Sequence, residues 1–254
     1  MNLLAVDIGN SNIVLGFYKD AKCLQTWRIK TSLEAPINKY EMDIRSYLLE
    51  QDINLDSIQK VVLSSVVPSL SEGFVHILES IFSQEVLVLT SKLYPKLPIS
   101  TLNPDEIGTD LVANALAAFK LYKHSCVVVD FGTALTFTSI SDKGEILGVA
   151  IAPGLKTALH SLFSNTAKLP NVPLEVPKSA LGKDTVHAIQ AGVLLGYVGL
   201  VRELVHQTGK EMPENCKFVA TGGLSSILTS LQGSFDKIIP NLTLDGLRWL
   251  TEYC

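Results

Sequence analysis

Apolar residues fall along this chain in short runs that stop on a polar residue, and the runs come in a repeated order. Residues 3–6 are apolar and end on Asp7. Residues 13–18 and 23–29 read as two further strands, with Lys19-Asp20-Ala21-Lys22 as the polar turn between them. Residues 38–50 carry Tyr40, Ile44, Tyr47 and Leu48 at helical spacing. A buried strand over 61–67 is closed by Pro68; a helix over 69–82 and a strand over 86–89 follow. Prolines at 95, 98 and 104 predict a loop over 93–104. A helix rich in alanine, fit for close packing, is expected over 110–122.

The opening order then returns. Residues 127–129 are apolar and end on Asp130, 135–140 form a strand, Ser141-Asp142-Lys143-Gly144 a turn, and 145–151 a third strand. Strand, Asp-x-Gly, strand, polar turn, strand has thus occurred twice, about half the chain apart, which implies an internal duplication. The halves are placed at 1–123, with the first loop, and 124–254, with the second. After Pro153-Gly154 the pattern gives a short helix, a proline-rich loop over 170–177 and a long helix or helix pair over 183–207. A strand over 217–220 runs into Thr221-Gly222-Gly223, a helix begins near Ser225, and a closing helix spans 244–253.

Composition narrows the function classes. The 254 residues are 47% hydrophobic and 18% charged, enough to bury a substantial core. A net charge of −4 and the lack of a basic run argue against a nucleic-acid footprint. Cys23, Cys126, Cys216 and Cys254 form no CxxC pair, which speaks against a zinc site or disulfide framework and fits a reducing, cytoplasmic setting. The N-terminus lacks a basic region before its apolar run, so a signal peptide is not expected. The uncharged run 191–201 is too short to span a bilayer and holds three glycines, so no membrane role is expected. The five histidines lack metal-ligand spacing, and no GxSxG elbow is present.

The chemistry gathers at the two Asp-x-Gly loops, Asp7-Ile8-Gly9 and Asp130-Phe131-Gly132. Glycine at a hairpin tip lets the backbone approach an anion, and the amides of such a turn converge on it. Asn10, Ser11, Asn12 and Thr133 add side-chain donors. Aspartate beside phosphate makes sense where a divalent cation or its water lies between them. One Asp-x-Gly is a common turn; two, each after a buried strand and before another, point to a phosphate-binding frame. Strands follow both loops, which excludes a P-loop, and GxGxxG is absent. Thr221-Gly222-Gly223 gives a flat backbone surface for a ring or ribose. Asp110, in Gly108-Thr109-Asp110, suits either a helix N-cap or a base for an alcohol acceptor, and the sequence does not choose between them.

Taken in order, these motifs resemble the type III pantothenate kinases, over nearly the whole chain. Asp7-Ile8-Gly9-Asn10-Ser11 resembles the family's DxGNT, and Ser65-Val66-Val67-Pro68 its SVVP. Gly108-Thr109-Asp110-Leu111 falls on GxDR, and Asp130-Phe131-Gly132-Thr133-Ala134 on the second phosphate motif. Pro153-Gly154, residues 182–192 and Thr221-Gly222-Gly223 complete the set. The resemblance implies an α/β protein of two duplicated ribonuclease-H-like halves, the actin-like ATPase fold, with mixed sheets flanked by helices. It implies ATP-dependent phosphorylation of pantothenate to 4'-phosphopantothenate, the first step of coenzyme A synthesis, with Asp110 as base. Asp7, Gly9, Asn10, Ser11, Asn12, Val14, Gly132, Thr133, Thr221, Gly222 and Gly223 are implied to bind ATP. Asp7 is implied to hold Mg2+, through water where needed, and Asp130 a monovalent cation, K+ or NH4+. Gly108, Thr109, Asp110 and Leu111 would line the acceptor pocket of a homodimer, joined by Thr185 of the partner subunit.

Leu111 stands where the family has arginine, and an arginine there could pair with a polar or anionic group where leucine cannot. Leu135 and Thr138 depart from the usual TATTFD ending. These departures leave a second expectation beside the kinase: a nucleotide-binding regulator on the same fold, as in the related Bvg accessory factors.

Overall fold

In the computed structural model the described residues are 1–164, 170, 172–223, 225 and 229–254. They form two compact units, one of Met1–Ala117 with Leu242–Cys254, the other of Ala118–Asn241.

The first unit is built on β1 (Asn2–Ile8), β2 (Asn12–Lys19), β3 (Lys22–Lys30), β4 (Lys60–Ser65) and β5 (Val86–Val88). Their order in the sheet is β3-β2-β1-β4-β5, antiparallel through the hairpins and parallel from β1 to β4 to β5. Alternation along each strand sorts the side chains between two faces. Leu4, Val6, Ile8, Val61 and Leu63 pack with Tyr40, Ile44 and Leu48 of α1 (Ile37–Glu50) and with Phe74, Leu78 and Ile81 of α2 (Pro68–Phe82). Pro68 opens α2, where its missing N–H costs nothing. Asp20 and Ala21 both adopt positive φ in the β2–β3 turn, the twist a two-residue hairpin demands.

The other face of this sheet receives α7 (Leu242–Leu250), with Leu244, Leu247 and Leu250 buried. Tyr18 donates a 2.8 Å hydrogen bond to Asp245 there. α7 also crosses the start of α3 (Thr109–Tyr122) closely: a Cβ on Gly246 would collide with the Ala113 carbonyl, and Thr243 donates to buried Asn114 at 2.9 Å. The closing helix, which the sequence order puts in the second half, thus completes the first unit. The segment read as a loop over 93–104 contains a 3-10 turn, Ser91–Lys96, and a two-residue strand, β6 (Ser100–Thr101).

The second unit repeats the plan with β7 (Cys126–Phe131), β8 (Ala134–Ile140), β9 (Glu145–Pro153), β10 (Lys217–Thr221) and β11 (Lys237–Ile238). β9-β8-β7-β10-β11 is the same order as in the first sheet, with the same strand directions. A register shift falls late in the second hairpin of each sheet, at Phe17/Tyr18 and at Ser139/Ile140. Here α4 (Leu155–Ser164), α5 (Thr185–Gln190), a wide π turn (Ala191–Leu195) and α6 (Gly196–Glu211) supply the helices. Leu194, Tyr197, Val198 and Val201 pack on Val127, Val129, Phe137 and Ala220. Thr185–Glu211 is, among the described residues, the one helix long and apolar enough to cross a bilayer, yet this face of it lies in the core. The helix expected near Ser225 falls largely outside the described residues; Thr229–Ser234 forms a 3-10 turn.

Candidate functional site

Each sheet ends in one glycine-tipped hairpin beside an aspartate. In the first unit, Asp7 pairs with Val14 on β2 and with Ser64 on β4. Gly9 donates its amide to the Asn12 carbonyl at 3.0 Å, closing the turn, and a Cβ at Gly9 would crowd that same oxygen. Thr31 pins the loop from β3's end: its amide reaches the Ser11 carbonyl at 3.1 Å and its hydroxyl the Gly9 carbonyl at 2.7 Å. With these carbonyls held on the inner side, Asn10 and Ser11 stand exposed at the tip and Asn12 is partly exposed.

The second hairpin is one residue tighter. Asp130 pairs with Thr136, six residues on, whereas Asp7 pairs with Val14, seven on. Gly132 donates to the Ala134 carbonyl at 3.1 Å. The Thr133 carbonyl accepts from the Gly154 amide at 3.0 Å and from the Thr157 hydroxyl at 2.7 Å. A Cβ at Gly154 would collide with the Gly132 and Thr133 carbonyls, so the Pro153-Gly154 segment buttresses this loop. Thr221 is the parallel partner of Asp130, and the next residue, Gly222, has φ +90°. A side chain at Gly222 would meet the Asp130 carboxylate at 2.5 Å and the Phe131 carbonyl at 2.7 Å. The Thr-Gly-Gly turn and the second Asp-x-Gly loop are therefore in contact within one unit. Alternation puts Asp130, Thr136, Thr138 and Thr221 on the sheet face opposite the α6 core.

The segment carrying Asp110 is anchored to the first sheet. The Thr109 hydroxyl lies 2.9 Å from that of Ser64 and donates to the Ser65 carbonyl at 3.2 Å. Ser64 is fully buried and stands beside Asp7. Asp110 is not the N-cap: it is the second residue of α3, and its carboxylate accepts the Leu111 amide at 2.8 Å. Its carboxylate also lies against Cα of Gly108, where a Cβ would collide with it. Burial pushes the Asp110 carboxyl above its ordinary value, while the hydrogen bonds from the Leu111 amide and its own amide pull less strongly the other way. Tyr94, from the 3-10 turn, is pushed up to about 12, chiefly by burial and then by the charges of Asp110 and Asp105.

Leu111 is buried, and Thr185 is exposed at the first turn of α5, capped by Asp184, which accepts the His187 amide at 2.8 Å. Within the first unit the structure brings together Asp7, its loop, and the segment Gly108 to Leu111. Within the second it brings together Asp130, Gly132, Thr133, Thr221 and Gly222. Sequence reasoning missed Ser64, Thr31 and Thr157 as parts of the site, and read Pro153-Gly154 only as a motif. Ser64 alone carried a signal, a serine inside an apolar strand, but its partner is far away in sequence.

The donor sets suit the groups a phosphate-transfer site needs. The glycines let the backbone of each turn close on its own carbonyls without a Cβ in the way, which leaves the loop tips as bare backbone. Among the described residues there is no cluster of three metal-binding side chains, so a divalent ion at Asp7 would complete its shell with phosphate oxygens and water. Among the described residues the buried hydroxyls of Thr136 and Thr138 have no hydrogen-bond partner, and both lie on the Asp130 face as oxygen donors of the kind a monovalent cation takes.

Two sheets of this order, each with an aspartate and a glycine-tipped hairpin at the strand end, define the actin-like ATPase fold to which the sugar kinases belong. The activator of the 2-hydroxyisocaproyl-CoA dehydratase from Clostridium difficile, solved with bound ADPNP, superposes with a TM-score of 0.55 at 10% identity, covering 100% of this chain and 96% of that one. A Baf family transcriptional activator from Campylobacter jejuni gives a TM-score of 0.60 at 21% identity, covering 98% and 97%. At the sequence level, the profile of the type III pantothenate kinases matches residues 3–207. The type III pantothenate kinase of Moorella thermoacetica is 39% identical over 250 residues, 98% of each chain. The chain belongs to the type III pantothenate kinase family.

Proposed function

We propose that Asp7, Asp110 and Asp130 divide the work of phosphorylating pantothenate with ATP, the phosphotransferase activity of this family and an entry step to coenzyme A. The observation that carries this reading is the repeat of one Asp-bearing, glycine-tipped hairpin on both sheets, with Gly222 packed on the second. Gly9, Asn10, Ser11, Asn12 and Val14 form the first phosphate loop, and Gly132 and Thr133 the second. Thr221, Gly222 and Gly223 offer backbone to the adenosine. Asp7 would hold Mg2+, directly or through water, and the ion would supply charge to offset that of the phosphates. Asp130, with Thr136 and Thr138, would hold K+ or NH4+.

Asp110 accepts the proton of the pantothenate hydroxyl as its oxygen bonds to the γ-phosphorus. The bond from that phosphorus to the bridging oxygen breaks, and ADP leaves. A raised carboxyl value suits this role, since a base too weak would not take the proton late in transfer. Gly108 and Leu111 border the acceptor. Thr185, exposed at α5, is read as a contribution from a second copy in a homodimer. Four free cysteines fit a cytoplasmic setting.

The test is formation of 4'-phosphopantothenate from ATP and pantothenate with Mg2+, with K+ then replaced by Na+. Turnover that depends on K+ supports the whole assignment; turnover indifferent to the monovalent ion removes Asp130 as its site. A folded, ATP-binding chain that yields no product points to the nucleotide-binding regulator. Leu111 motivates that second reading: Leu111→Arg should raise turnover if the position limits the acceptor, and leave a pure regulator unchanged.

A further inference from the structure

Thr109 precedes the proposed base, but its hydroxyl is turned into the protein. It donates to the Ser65 carbonyl at 3.2 Å. A hydroxyl has one proton, so the 2.9 Å bond with Ser64 must be donated by Ser64. Ser64 is fully buried, on the sheet face shared with its register partner Asp7. Leu63 on one side of it belongs to the α1–α2 core, which fixes Ser64 toward the opposite face. Ser65 is held in turn: its hydroxyl accepts from Ser71 at 2.8 Å and from the Val67 amide at 3.1 Å. The end of β4 is therefore a set of hydroxyls tied to backbone, and the start of α3 hangs from it by Thr109.

We propose that Ser64 and Thr109 are positioning residues, a hydroxyl latch that fixes the first turn of α3, and with it the Asp110 carboxylate, against the strand next to Asp7. The proposal rests on the reading of Asp110 as base. It moves Thr109 from the acceptor lining to the support of the base. The geometry explains why the latch uses hydroxyls in an otherwise apolar layer. An apolar pair would fill the space but would leave the turn free to slide, and a base must sit within hydrogen-bond reach of the proton it takes.

The experiment compares Ser64→Ala, Thr109→Val and Thr109→Ser with the full-length protein, using 4'-phosphopantothenate formation and thermal unfolding. Thr109→Val keeps the shape and removes the hydroxyl; Thr109→Ser keeps the hydroxyl. Loss of alignment should lower kcat about ten- to a hundredfold in Ser64→Ala and Thr109→Val, with KM for ATP unchanged and near-normal kcat in Thr109→Ser. Equal kcat in all three, or a fall in Thr109→Ser as large as in Thr109→Val, overturns the latch. If Thr109→Val unfolds, Ser64→Ala, which leaves the Thr109–Ser65 bond in place, still decides. Asp110→Asn is run beside them: undiminished turnover in that variant overturns the base assignment itself, a result separate from any failure of the latch.

Discussion

Asp110 keeps its carboxylate against the first turn of α3, partly out of water, and burial favours its neutral form. A carboxyl raised in the folded state contributes its stability below the ordinary carboxylate range and loses it as pH rises through the raised value. At neutral pH the ionised group therefore weighs against folding. Asp110→Asn should lower turnover by about two to four orders of magnitude while leaving ATP binding intact. The same variant should melt no lower than the parent at pH 7, with any gain shrinking as the pH falls toward the ordinary carboxylate range. A melting point well below the parent's at pH 7 would show that the carboxylate is structural. In the parent, kcat should fall as acid protonates Asp110. Gly222 makes a second residue-level case. Its φ of +90° and its contact with Asp130 and Phe131 leave no space for a methyl. Gly222→Ala should raise KM for ATP about tenfold, since left-handed backbone alone costs a non-glycine residue about 1–2 kcal/mol.

At the scale of elements, α7 decides how well the face of β1, β2 and β4 that carries Asp7 is covered. Tyr18 is buried, and burial, then the Asp245 charge, holds its hydroxyl neutral far above the usual tyrosine range. Tyr18→Phe removes the donor that Asp245 accepts and should cost about 1–3 kcal/mol, read as a lower denaturant midpoint. Gly246→Ala places a methyl on the Ala113 carbonyl and should cost about 1–3 kcal/mol as well, by forcing α7 off α3. Unchanged unfolding midpoints in both would mean that α7 contributes little to the first unit.

For the whole molecule, the duplicated plan has a consequence for how it comes apart. The first unit is discontinuous in sequence and needs Leu242–Cys254, while the second is one continuous stretch. A chain ending at Asn241 should lose hydrogen-exchange protection in β1, β2 and β4 while β7 and β8 stay protected. Equal loss in both sheets would show that they unfold as one. The duplication itself was legible because each sheet begins with an apolar run ending on aspartate and then a hairpin, a pattern that strand periodicity prints into sequence. Leu242–Leu250 was legible as a helix but not as part of the first unit, because hydrophobic spacing tells a helix which face to bury and not which sheet will receive it. Asp110 was visible as a polar residue at a helix start, but an N-cap and a base look alike in sequence. In the structure Asp110 is the second residue of α3 and not its N-cap, a distinction of one position that hydrophobic spacing does not resolve.

The sequence by itself determined the local chemistry: two Asp-x-Gly turns, the strands that flank them, and the ordered motifs of the family. These depend on near neighbours, on the steric freedom of glycine and on alternating burial, all of which are written within a few residues. Tertiary structure decided the rest. It made the two hairpins unequal by one residue, set Gly222 on Asp130, buried Ser64 beside Asp7 and hung Asp110 from it. The last three join residues separated by tens of positions, through sheet register and side-chain contact. Such pairings appear only once the chain has chosen which strands lie side by side.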